Sequence, residues 1–109
     1  MLDGFDAENF TDDDGNPAGG YVEGIGLDIV WQNGPLGRVG TDERIEPNGA
    51  FVETVIAAAK QRIEFYNETQ FRCRENSLAI TKLEEALHWL NARTQRRVQE
   101  QTEGTHEGN

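Results

Sequence analysis

One cysteine and two histidines stand in 109 residues. With Cys73 alone no intrachain disulfide framework can form, so a reducing compartment is the natural setting. Cys73, His88 and His106 show none of the metal-ligand spacings such as HExxH or CxxC, and neither a metal nor a cofactor is expected. No run approaches the roughly 20 apolar residues that a membrane span needs. The opening MLDGFDAENF has no basic region followed by an apolar run, so no secretory leader is expected and the protein acts where it is made. Bases are scarce as well: 10 Lys and Arg face 20 Asp and Glu, for a net charge of −10. Such a charge repels polymeric DNA or RNA and anionic membrane surfaces. The deficit is uneven. Residues 1–49 hold 11 acids and 2 bases, residues 50–109 hold 9 acids and 8 bases, so an anionic ligand has to meet a local cluster in the second half.

What is present is a long amphipathic stretch, FRCRENSLAITKLEEALHWLNARTQRR, over residues 71–97. Leu78, Ala79, Leu83, Ala86, Leu87 and Leu90 recur at three-and-four spacing, which places them on one face of a helix uninterrupted by Gly or Pro. A second helix is predicted over 50–66, with Val52, Val55, Ile56, Ala59, Ile63 and Tyr66 as its apolar stripe and Glu53, Lys60 and Glu64 outward. Asn48 and Thr69 are the expected N-caps. The short connection at 67–69 makes the two helices an antiparallel hairpin. The later helix is expected to outlast the earlier by two or three turns, which leaves Trp89 and Leu90 to be covered by the sheet or a second copy.

Upstream, YVEGIGLDIVW alternates as two short strands do, with Gly24 and Gly26 permitting a turn or bulge between them. Asn33, Gly34 and Pro35 signal another turn, with 36–39 as a return strand. Residues 1–19 carry six acids and no base, and read as a disordered acidic lead-in. The run Asp12-Asp13-Asp14-Gly15 lacks the alternating ligands and closing Glu of an EF-hand. The expected organisation is therefore an acidic tail over 1–19, one domain over 20–101 and a polar tail over 102–109. The fold class is α+β: a small antiparallel sheet followed by a long helical hairpin.

For nucleophilic catalysis Cys73 would need a nearby histidine, and His88 lies about four helical turns away, so no catalytic residue is assigned. Glu84 and Glu85, beside Lys82, read as a solvated face. Arg93 and Arg97 stand one turn apart, so both guanidinium forks project from one helix face, where they suit the oxygens of a pyrophosphate or simply complement the helix dipole. Phe65, Tyr66, Phe71 and Asn76 cluster at the other end of the hairpin. Aromatic faces with an amide can stack and read a nucleobase, or the aromatics can pack as core. Asn76 and Arg93 are about 25 Å apart along the axis, so one small ligand touches both only when two antiparallel copies share the site.

Residues 48–97 and the upstream IVWQNGPLG closely resemble phage Thoeris anti-defence proteins of the first type, in the strings FVE, FY, CREN, AITKLEEALHWL and RT. The resemblance implies dimers or hexamers that sequester cyclic ADP-ribose isomers without degrading them, in the cytoplasm of the infected bacterial host. Some members also take cyclic trinucleotides at a separate site. It implies binding groups at Phe65 or Tyr66, Asn76, Arg93 and Arg97. The tail VQEQTEGTH and the acidic N-terminus depart from the family pattern. A hydrolase of such signals and a dimeric helical module that binds a host protein are the alternatives.

Overall fold

A computed structural model describes residues 4–102, which divide into two compact units at Val52 and Glu53. The first unit is a three-stranded antiparallel sheet in the order β1-β2-β3: β1 Phe5–Thr11, β2 Pro17–Gly24 and β3 Leu27–Trp31. The second holds helices α1 Val52–Tyr66 and α2 Arg74–Thr102. The α+β class, small sheet then helical hairpin, stands as read from the sequence.

The acidic lead-in is where the reading is corrected, because residues 5–11 pair with β2. The run 12–16 is the turn that makes this possible. The Asp12 carboxylate accepts from the amides of Asp14 at 2.9 Å and Asn16 at 3.0 Å, while Gly15 takes the left-handed φ of 83°. An Asp that caps its own turn folds a run whose composition alone suggests disorder. Gly20 (φ 149°) is needed where β2 passes β1, since a side chain there would collide with the Glu8 carbonyl.

Register places Asp6, Glu23 and Asp28 opposite one another across three strands, with Ala7, Val22 and Ile29 forming the next row on the other face. The anticipated turn between Gly24 and Gly26 joins β2 to β3 and leaves Ile25 99% exposed. The expected return strand over 36–39 does not form. After Trp31 the chain instead closes a loop: Asn33 N donates to the Asn48 Oδ1 at 2.7 Å, Asn48 Nδ2 donates back to the Asn33 carbonyl at 3.1 Å, and Ala50 bridges Trp31 in parallel. Asn48 thus staples a loop and does not cap α1.

Antiparallel helices follow from three pairings: Glu53 with Arg93, Lys60 with Glu84, and Asn67 with Ser77. Each step of two turns down α1 is a step of about two turns back along α2. Glu53, Lys60 and Glu64, expected to face out, are half-buried, and the first two pair with α2. Glu84 and Glu85 are exposed, as expected of a solvated face, and Glu84 also receives Lys60 at 3.8 Å. The Thr69 hydroxyl donates to the Tyr66 carbonyl at 2.5 Å and accepts from Phe71 N at 3.1 Å, so it holds the inter-helix turn and does not cap α2. With 29 residues against 15, α2 exceeds α1 by about four turns, more than expected.

Among the described residues no hydrophobic side chain is buried, and Trp89 is 71% exposed. Leu83, Ala86, Leu87 and Leu90 are half-buried. The polar tail expected from 102 onward lies outside the described residues except for Thr102, which ends α2.

Candidate functional site

The last turn of α1 carries Phe65 and Tyr66, both exposed, with ring centroids 6.3 Å apart and planes tilted by 53°. Neighbours in sequence diverge around a helix, which accounts for the tilt. Arg62 stands three and four residues earlier on the same face, and its guanidinium carbon lies 5.1 Å from the Phe65 ring centre and 5.2 Å from that of Tyr66. Its Nε donates to the Tyr66 hydroxyl at 3.4 Å. The guanidinium is drawn to the electron-rich faces of both rings. Helical periodicity from the FY pair leads back to Arg62, though no motif in the sequence singles it out.

Phe71 lies in the turn before α2 with 70% of its surface exposed, and its carbonyl accepts from Asn76 Nδ2 at 3.3 Å. The same Nδ2 donates to Asn67 Oδ1 at 3.2 Å. Phe65, Tyr66, Phe71 and Asn76 therefore gather at the closed end of the hairpin. These aromatics are exposed and do not pack as a core.

Arg93 and Arg97 do not join them. Because α2 is one continuous helix, Arg93 is about 25 Å along the axis from Asn76. There the Arg93 Nη2 lies 3.5 Å from the Glu53 carboxylate at the start of α1. Among the described residues Arg96 and Arg97 have no ion-pair partner, since α2 has run past the beginning of α1. Lys60, between the two ends, is held above its ordinary pKa of 10.5, chiefly by its hydrogen bond to Glu64, against partial desolvation and with further help from the charges of Glu64 and Glu84.

Cys73 is exposed and precedes α2, about 22 Å from His88 along the chain axis, so the two form no dyad within one chain. Among the described residues no group of three His, Cys, Asp or Glu is placed to hold a metal ion, and no helix is long and apolar enough to cross a membrane.

The hairpin thus carries exposed aromatics with an amide at one end and a guanidinium cluster at the other. The Acb2/Tad1 hairpin-domain model matches residues 23–95, from the end of β2 to within two residues of Arg97. The protein named Thoeris anti-defense 1 of Bacillus phage SBSphiJ7 is 47% identical over 79 residues, which are 72% of this chain and 51% of that relative. The chain thus spans about half the length of the relative it matches. On a family match that covers residues 23–95, about two thirds of the chain, including α1 and most of α2, the chain belongs to the Acb2/Tad1 hairpin-domain family.

Proposed function

We propose that this chain is a phage anti-defence protein that binds and sequesters a cyclic ADP-ribose-type signal without degrading it, and so inhibits Thoeris immunity. The observation that carries the reading is the 47% identity to a phage protein named for Thoeris anti-defence. The geometry adds a chemical reason. A cyclic ADP-ribose presents a purine and a pyrophosphate, and the chain presents exposed aromatic faces with an amide at one end and paired guanidinium groups at the other. The two ends are too far apart for one ligand, so the site is shared between antiparallel copies of α2. Half-covered stripes on both helices and an exposed Trp89 supply apolar surface for that association. The proposed partners are cyclic ADP-ribose isomers and further copies of the chain, as a dimer or hexamer in the infected cell's cytoplasm, with polymeric nucleic acid and membranes disfavoured by charge.

Tight binding to the folded state must raise its melting temperature, by about 2.7 kcal/mol of stabilisation at a ligand concentration 100 times Kd. A thermal-shift series with cyclic ADP-ribose isomers and cyclic trinucleotides is expected to show at least one cyclic ADP-ribose isomer that raises Tm by several degrees. A flat response across the series contradicts the reading and points to a protein partner.

A further inference from the structure

The closed end of the hairpin is organised by one amide. Asn67 Oδ1 accepts from the Cys73 backbone N at 3.3 Å and from Asn76 Nδ2 at 3.2 Å, while Asn67 Nδ2 donates to Ser77 Oγ at 3.1 Å. A backbone N–H can only donate, so the Asn67 oxygen is assigned without ambiguity. The group that Asn76 turns toward it must then be its NH2. The Phe71 carbonyl, another obligate acceptor, takes the same nitrogen at 3.3 Å. Turning the Asn76 amide over would set its oxygen against two oxygens and forfeit both bonds, so only one orientation is stable.

Both Asn76 hydrogens are therefore committed within the protein, and Oδ1 is left as an acceptor. Resting on the nucleotide reading above, we propose that Asn67 is a positioning residue that fixes the polarity of Asn76, so that the site reads a hydrogen-bond donor on the base edge, the exocyclic 6-amine of adenine. The exposed aromatics Phe65, Tyr66 and Phe71 at this same end of the hairpin suit a base rather than a ribose. A purine without the amine leaves Oδ1 buried against ligand with no partner.

The test compares the affinities of the full-length protein for the cyclic ADP-ribose isomer it binds and for the counterpart whose purine carries hydrogen at position 6. The wild type is expected to prefer the amine by about tenfold or more. In Asn67→Ala the Asn76 NH2 keeps only its bond to the Phe71 carbonyl, so its orientation is held less firmly, and the preference is expected to shrink several-fold while both ligands still bind through their phosphates. Ser77→Ala keeps both bonds to Asn67 Oδ1 and is expected to keep the preference, a result that a general loosening of the turn would not give. Equal wild-type affinity for the two ligands overturns the proposal, as does an undiminished preference in Asn67→Ala. Should Asn67→Ala fold poorly, amide proton spectra of the wild type decide: slowed exchange of the Asn76 NH2 protons is expected, and fast exchange of both overturns the assignment. A wild type that binds neither ligand overturns the nucleotide reading, and this one with it.

Discussion

Arg93 and Glu53 close the far end of the helical hairpin, Nη2 to Oε2 at 3.5 Å, and so a guanidinium at the proposed phosphate end is already half-neutralised by a carboxylate. The pair is partly exposed and worth no more than about 1 kcal/mol of stability. Its larger consequence is for anions, since Glu53 both orients Arg93 and repels a pyrophosphate. Glu53→Gln is expected to tighten binding of cyclic ADP-ribose several-fold in calorimetric titration, with a Tm change of only a few degrees. Arg93→Ala or Arg97→Ala is expected to weaken it by about 1.5 to 3 kcal/mol each, as for the loss of a charge-assisted bond. A folded Arg97→Ala protein with unchanged affinity would remove that residue from the site.

Separation of the two ends makes complementation possible. Asn76→Ala and Arg93→Ala proteins should each bind poorly. Mixed and allowed to exchange subunits, they should regain sites at which an intact Asn76 from one copy faces an intact Arg93 from another. Titration of the mixture is expected to recover part of the wild-type stoichiometry at wild-type affinity. No recovery after demonstrated subunit exchange would mean that the site lies within one copy.

Lys60 makes stability depend on pH at the alkaline end. Its pKa is raised in the folded chain by Glu64 and then Glu84, so the protonated form is favoured by folding. The contribution is complete below the unfolded value near 10.5 and is lost as pH rises through the higher folded value. Lys60→Met is therefore expected to flatten the fall in Tm that the wild type shows above about pH 10. An identical alkaline slope in both proteins would show that another group sets it.

The sheet carries its own test. Asp6, Glu23 and Asp28 are cross-strand neighbours on one face, and like charges directly opposite destabilise a pair. Glu23→Thr relieves both repulsions at the central strand, with an expected gain of about 0.2 to 1 kcal/mol per pair in denaturant unfolding. Gly20→Ala acts in the opposite direction. Its φ of 149° and the nearby Glu8 carbonyl leave no room for a side chain, and a loss of more than about 1 kcal/mol is expected.

The helices were legible because Leu83, Ala86, Leu87 and Leu90 repeat with the helical period, and β2 with β3 because Val22, Leu27, Ile29 and Trp31 alternate around Gly24 and Gly26. Strand β1 was not. Its residues are polar and acidic, poor strand formers by composition, and only pairing with β2 and the Asp12 turn make it a strand. Glu53, Lys60 and Glu64 read as solvent-facing because charge predicts exposure. The α2 partners of Glu53 and Lys60, Arg93 and Glu84, are distant in sequence, and only the hairpin brings them near. The aromatic cluster and the arginines one turn apart were legible as residue types at the two ends of the hairpin. Arg62 over the aromatic pair and Asn67 behind Asn76 were not, since a hydrogen-bond network has no sequence period.

Sequestration without chemistry is the central claim, and recovery of the ligand tests it directly. Protein saturated with a cyclic ADP-ribose isomer is freed of unbound ligand, denatured by heat and extracted, and the released compound is identified by mass and chromatographic retention. The account predicts intact cyclic ligand, recovered in the amount that was bound. Linear ADP-ribose or any other product, formed in proportion to time and enzyme, would contradict it and make the protein a hydrolase.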